Sequence, residues 1–228
     1  LALASVMLVG MMSVGASAVN ASDFTDADEI VNKDAVSTMT ALGIINGKED
    51  GSYFDPTGTV TRAEMAKMLC VAINGGVDPV LGVKDTPTFT DIKGHWAESY
   101  IEYCAANGII AGRGNNKFDP TGTVSATEAA KMLLGVLGYN AEKSGLVGND
   151  WAINTNVLAN QNGLYKNLSN LNANTLLTRD NAAQMIYNAL DANMVELNAA
   201  GNYTTSQYSY TGTESVVTGT ERVWVVKI

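Results

Sequence analysis

At 228 residues the chain is long enough for one sizeable domain with appendages, and 46% hydrophobic against 16% charged residues is ordinary globular composition. A net charge of −9 excludes the basic face that nucleic acid requires, and an anionic ligand would have to be met by a local cationic pocket. The lone histidine, His95, and two cysteines without a CxxC leave little for a zinc site or a Ser-His-Asp triad, so no metal, cofactor or catalytic residue is expected.

Residues 1–19, LALASVMLVGMMSVGASAV, are apolar and small, and Ala16-Ser17-Ala18 matches an A-x-A cleavage signal. Residues 1–21 are therefore expected to be a signal peptide lacking its own start, since neither an initiator Met nor a basic segment precedes it. A transmembrane helix is the alternative. An exported chain with no stable membrane insertion after cleavage follows from the first reading.

The remainder repeats itself. FTDADEIVNKDAVSTMTALGIING at 24–47 aligns without gaps on FTDIKGHWAESYIEYCAANGIIAG at 89–112, a shift of 65. FDPTGTV then occurs at 54–60 and again at 118–124, and each copy runs into a helical pattern, TRAEMAKML or SATEAAKML. A third, divergent copy follows, with Trp151 on Trp96, Gly163 on Gly108 and LLTRDNAAQMIYNAL at 176–190 on the TRAE helix. The boundaries expected are 22–74, 88–139 and 149–198, each two helices joined by a loop, with Gly-rich connections at 74–88 and 139–149.

Spacing predicts the helices. Met65, Met68, Leu69 and Ala72 fall at i, i+3, i+4 and i+7; Ala129, Met132, Leu133 and Val136 repeat the stripe, as do Ala182, Met185, Ile186 and Ala189. Thr61 with Glu64 and Ser125 with Glu128 form capping boxes; Thr178 opens the third helix, where Asn181 replaces the Glu. Gly43, Gly108 and Gly163 stand where a C′ glycine ends the first helix of each unit. Asp-Pro-Thr-Gly before each capped helix reads as a turn, with Pro fixing φ and Gly taking the left-handed conformation. A lone helical pair cannot bury its apolar side, so the expected fold is all-α, three repeats in a pseudo-threefold bundle. Residues 199–228, rich in Thr, Tyr and Val, are expected to begin a β-rich region. Cys70 and Cys104 sit in apolar helical patterns and read as buried free thiols, with a disulfide as the alternative.

These motifs together (F-x-D, HWA, GII-x-G, FDP and TRAE in threefold repetition) resemble the S-layer homology family over about three quarters of the chain. The resemblance implies a non-covalent anchor of an exported protein, bound to a secondary cell-wall polysaccharide that often carries ketal-linked pyruvate. The polymer is held in grooves between repeats, with the TRAE arginine on the anionic sugar. Localisation would be extracellular, at the cell wall or S-layer; self-association into a lattice stays open.

One position is informative beyond the resemblance. Arg62 stands in the first turn of a helix, where the dipole disfavours a cation and neither capping nor packing explains it. A bound carboxylate, held by backbone N–H groups and the guanidinium, would explain it. The alternative is a solvated Arg, or one bridging to an acid of the next repeat. Arg179 is its counterpart in the third unit, and Ala126 replaces it in the second, so a groove there is expected to be silent. Trp96 and Trp151 are candidates to stack a sugar ring, or core residues. His95 is a candidate donor and Glu64 a candidate contact, although capping already explains the latter.

A calcium loop is excluded for residues 46–57, NGKEDGSYFDPT, because Lys48 falls at position three and Thr57 where a bidentate Glu is needed. A wall anchor of an enzyme continuing beyond Ile228, and a protein-interaction module of the envelope, remain as alternatives.

Overall fold

A computed structural model describes residues 19–168, 171, 174–205, 208–211 and 216–219, the last two stretches by backbone alone. The leader expected at the start falls outside them except for residues 19–21. Six helices follow one another: α1 (Lys33–Ala41), α2 (Arg62–Ile73), α3 (Glu98–Ala106), α4 (Ala126–Val136), α5 (Trp151–Gln161) and α6 (Arg179–Asp191). None is long and apolar enough to cross a membrane.

The predicted starts and stops are where the sequence places them. In the Thr61 and Ser125 capping boxes the hydroxyl accepts from the N–H of Glu64 or Glu128, whose carboxylate accepts in return from the cap's own N–H at 2.7 and 2.8 Å. Thr178 accepts from the Asn181 N–H alone. Gly43, Gly108 and Gly163 have φ of 69, 70 and 70°, and the next residue of each donates back to the carbonyl of Met39, Cys104 or Ala159.

The turn chemistry differs from expectation. Asp55 and Asp119, not the glycines, take the left-handed conformation, each with φ of 62°. Gly58 and Gly122 are needed for another reason: a Cβ there would lie about 2 Å from the Asp55 or Asp119 carboxylate, which folds back over the turn. The F-T-D motif is explained by the same region. Asp26 accepts from the N–H groups of Phe54 and Asp55, and Asp91 from those of Phe118 and Asp119. Phe24 packs on Phe54, and Phe89 on Phe118, with ring centroids 5.3 and 5.5 Å apart.

The repeat in sequence is not the unit of packing. Each first helix lies on the second helix of the preceding repeat, α3 on α2 and α5 on α4, and α1 returns to α6 to close the circle. The predicted stripes of α2, α4 and α6 are all buried, and α4 touches both of the others. Three short segments just before these helices knit the centre. The Val60 N–H donates to the Leu177 carbonyl, Leu177 to Val124, and Val124 back to Val60, at 2.9, 2.9 and 3.0 Å. That cycle makes the arrangement pseudo-threefold.

A β-hairpin, β1 (Val195–Leu197) with β2 (Tyr203–Thr205), follows α6 and starts a few residues before the change of composition near 198. It docks on the helices: Val195 N–H donates to the Leu137 carbonyl, and the Tyr203 ring lies 5.1 Å from Tyr139. A second pair, β3 (Tyr208–Thr211) with β4 (Val216–Gly219), is also antiparallel. The fold is mostly helical, with a short β-rich end.

Candidate functional site

Arg62 leaves the first turn of α2 and enters the second repeat. Its Nε donates to the Phe118 carbonyl and Nη2 to the Ala111 carbonyl, both at 2.8 Å, and Nη1 meets Glu128 at 3.3 Å. The guanidinium lies 4.4 Å from the Phe118 ring centroid. Only 3% of the residue is exposed, and burial pulls its pKa down to about 10 against the opposing attraction of Glu128. Arg179 repeats this between the third and first repeats, donating to the Phe54 carbonyl at 2.7 Å and the Asn46 carbonyl at 2.8 Å. Both arginines therefore bridge repeats.

One expectation is corrected here. The helix ends beside these arginines do not offer free backbone N–H groups to a carboxylate. The N–H of Arg62 donates to Gly122, that of Ala63 to Pro120 and that of Glu64 to Thr61 Oγ1. Arg179 and Asp180 donate likewise to Gly58 and Pro56. Neighbouring turns have already consumed the donors of that helix end.

A lysine lies about one and a half turns into each of α2 and α4, Lys67 and Lys131. Lys131, on α4, stands with its Nζ 5.2 Å from the Trp151 ring centroid on α5. It makes no ion pair among the described residues. Burial lowers its pKa, and the charge of Arg62 lowers it further. Arg62, Lys131 and Trp151, from three different repeats, are thus brought into one neighbourhood.

Arg179, Lys67 and Trp96 occupy the corresponding positions of the other repeats. Lys67 Nζ lies 5.5 Å from the Tyr100 ring, and Trp96, 57% exposed, packs edge-on against Tyr100. Here an acid from the connecting loop intervenes: Asp78 pairs with Lys67 at 3.0 Å and accepts from the Tyr100 hydroxyl at 2.6 Å. Burial and that bond push the Tyr100 pKa up to about 12.

In the third such set the Arg, Lys and Trp positions are held by Ala126, Gln184 and Val31. Gln184 donates to Asn188, and Asp180 is taken by the backbone and side chain of Asn32. No cation stands at any of these three positions.

The other predicted residues are placed as follows. Glu64 is occupied as the α2 cap. His95 Nδ1 accepts from the Ala97 N–H, and its ring lies 5.4 Å from Trp96. Trp96 precedes α3 by two residues, whereas Trp151 is the first residue of α5. Lys67, Lys131 and Tyr100 were missed, although the lysines occupy the same register, six residues after Thr61 and Ser125. Arg113 was also missed; it holds Asp119 at 2.6 Å and both oxygens of Glu128 at 2.7 and 2.9 Å. Among the described residues no cluster of His, Cys, Asp and Glu is disposed to hold a metal ion.

Comparison with known proteins agrees with this architecture. The family model of the S-layer homology domain matches residues 23–66 and 88–130. An S-layer protein of Bacillus licheniformis is 32% identical over 49% of this chain. A cell surface protein of Thermoanaerobacter kivui is 29% identical over 83%, and the exoglucanase XynX of Acetivibrio thermocellus 28% identical over 64%. The matched parts make up 12%, 24% and 14% of those relatives, so the chain corresponds to a minor part of each. The third helical pair lies outside the family match, yet has a hydroxyl N-cap, a C′ glycine and a bridging arginine in the same places. The first two repeats are thus S-layer homology domains, and S-layer and cell-surface proteins are among the relatives of the chain.

Proposed function

We propose that the chain anchors its protein to the cell wall by binding a carboxylate-bearing secondary polysaccharide, such as a pyruvylated polymer. The observation that carries this reading is Lys131: a half-buried ammonium without a carboxylate partner, facing an aromatic ring and repelled by a neighbouring guanidinium. Lys131 carries its charge without a carboxylate of its own in an acidic protein, and an anionic ligand would supply one. Trp151 provides a flat apolar surface for a sugar ring, and Lys131 a charge for its acid group.

The Arg62–Lys131–Trp151 cleft is the principal site in this proposal. The Arg179–Lys67–Trp96 cleft is the second, and there polymer must displace Asp78 from Lys67 and Tyr100. The Ala126–Gln184–Val31 cleft is silent. Arg62 and Arg179 set the walls and the field of their clefts, with the lysines and tryptophans making the direct contacts. Glu64 and His95 support the local turns. The segment is a binding module with no chemistry of its own, and the likeness to an exoglucanase supports the variant in which such a module tethers an enzyme.

Co-sedimentation with sacculi carrying pyruvylated polymer, against sacculi stripped of it, tests the reading. Binding should vanish on stripping and weaken at least tenfold (about 1.4 kcal/mol) in Lys131→Gln, with a smaller loss in Lys67→Gln. Equal binding to both sacculi would sink the polymer and point to peptidoglycan or a protein partner.

A further inference from the structure

The seam between α2 and α3 contains a second piece of chemistry unconnected with polysaccharide. Cys70 of the first repeat and Cys104 of the second face each other there with their sulfurs 3.3 Å apart, and they are only 1% and 0% exposed. Each sulfur also lies 3.6 Å from a carbonyl of the opposite helix, Cys70 from Tyr100 and Cys104 from Ala66. The two side chains are thus aimed at one another across the inter-repeat contact.

We propose that Cys70 and Cys104 are a modification site: an oxidisable pair that becomes a disulfide joining the first two repeats. A sulfur–sulfur bond is about 2.0 Å long, so closure requires the sulfurs to approach by little more than 1 Å, within reach of side-chain rotation and small helix shifts. The chain belongs among cell-surface proteins, in a compartment where disulfides persist.

The co-reactant is a small-molecule disulfide. One cysteine thiolate attacks a sulfur of that reagent, breaks its S–S bond and expels one thiolate, leaving a mixed disulfide. The other cysteine, deprotonated in turn, attacks the protein sulfur of that mixed disulfide and expels the second thiolate. Two protein thiols are oxidised, one reagent disulfide is reduced to two thiols, and the two protons pass to the expelled thiolates. In the closed seam the Cys104 thiol is held protonated, by its hydrogen bond with Cys70 and by burial, so the exchange belongs to folding, before α3 settles on α2. Once formed, the bond is protected by the same burial. It would also fix the spacing of Lys67 and Tyr100, which lie one turn away on the two helices, whether or not that cleft binds polymer.

The test is refolding of the full chain in a series of reduced-to-oxidised glutathione mixtures. Free thiols are titrated in denaturant, and peptides are mapped without reduction. The expected result is loss of both thiols in a monomer lighter by two hydrogens, with one peptide pair joined through Cys70 and Cys104. The oxidised protein should melt about 10 °C above the reduced one, because the cross-link restrains the unfolded chain. A Cys70→Ala/Cys104→Ala variant should melt at one temperature under all these mixtures. Two titratable thiols surviving the most oxidising mixture would overturn the proposal. So would glutathione adducts without a cross-link, or a cross-linked protein that melts below the reduced one.

Discussion

Arg179 donates its Nε hydrogen to the carbonyl of Phe54, 125 residues earlier in the chain, at 2.7 Å. That bond and its neighbour to Asn46 fasten the last repeat to the first. Removing the side chain would strand two inward-facing carbonyls and empty a volume packed against the Phe54 ring. Arg179→Ala is expected to lower stability by about 3 kcal/mol in urea unfolding. Arg179→Lys should recover little, since an ammonium cannot reproduce the fork. A loss under 1 kcal/mol would show that the ring is held elsewhere.

Asp91 predicts the acid limb. Burial alone would raise its pKa, but the N–H groups of Phe118 and Asp119 outweigh it and hold the carboxyl below the usual 3.8. A folded-state pKa below the unfolded value contributes stability that is fully present above the unfolded pKa and is lost as pH falls through the folded one. Stability should therefore decline below about pH 4. Asp91→Ala should cost about 2 kcal/mol at neutral pH, and the gap from the parent should narrow as pH drops towards 2. A pH-independent gap would remove the carboxylate from the explanation.

Lys131 predicts the alkaline limit of polymer binding. Its pKa is depressed from the ordinary 10.5, first by burial and then by Arg62. Its charge therefore costs stability below the folded pKa, and that cost is relieved as pH rises through it. Affinity for an anion moves the other way and should fall through the same range, earlier than for an exposed lysine. Lys131→Arg should carry binding to higher pH, as a guanidinium is the stronger base and holds its proton longer than an ammonium at the same position. Identical alkaline profiles for parent and variant would exclude Lys131 as the titrating contact.

Tyr203 holds the hairpin. Its hydroxyl accepts from the Asn140 N–H at 2.8 Å and lies 2.6 Å from the Ser144 hydroxyl, while its ring covers Tyr139. Tyr203→Ala should loosen β1 and β2 without disturbing the six helices, at a cost of about 2 kcal/mol. Limited proteolysis should then cut between 194 and 205 while the helical signal in circular dichroism is retained. Resistance equal to the parent would mean that the Val195–Leu137 contact suffices.

Much of this was legible because it is local. The capping boxes, C′ glycines and buried stripes depend on residues three to seven apart, and spacing exposes them directly. What escaped depends on which repeat meets which. For Arg62 the alternative of an acid in the next repeat is met by Glu128, but the carbonyls of Phe118 and Ala111 appear only when that repeat is brought to it. The same holds for Cys70 and Cys104, which become a pair only when α3 lies on α2. Lys67 and Lys131 did leave a signal, a lysine in matching register of two copies and a glutamine in the third. An amphipathic reading assigns such a residue to solvent, and only the packed aromatic shows otherwise. The Asp55 and Asp119 conformation was misassigned because Gly is the residue usually needed at positive φ, whereas here it makes room for a carboxylate.

The cycle of bonds through Val60, Leu177 and Val124 has an arithmetical consequence. An open stack of repeats can be lengthened or shortened by whole units, because every unit meets its neighbours in the same way. A closed triangle admits three members and no other number. Duplicating a repeat would leave one copy with no vacancy to enter, and deleting one would leave a donor and an acceptor facing a gap. Such a module can therefore vary in what each corner does but not in how many it has, and the corner at Ala126, Gln184 and Val31 keeps its place in the triangle without any of the three residues that mark the others.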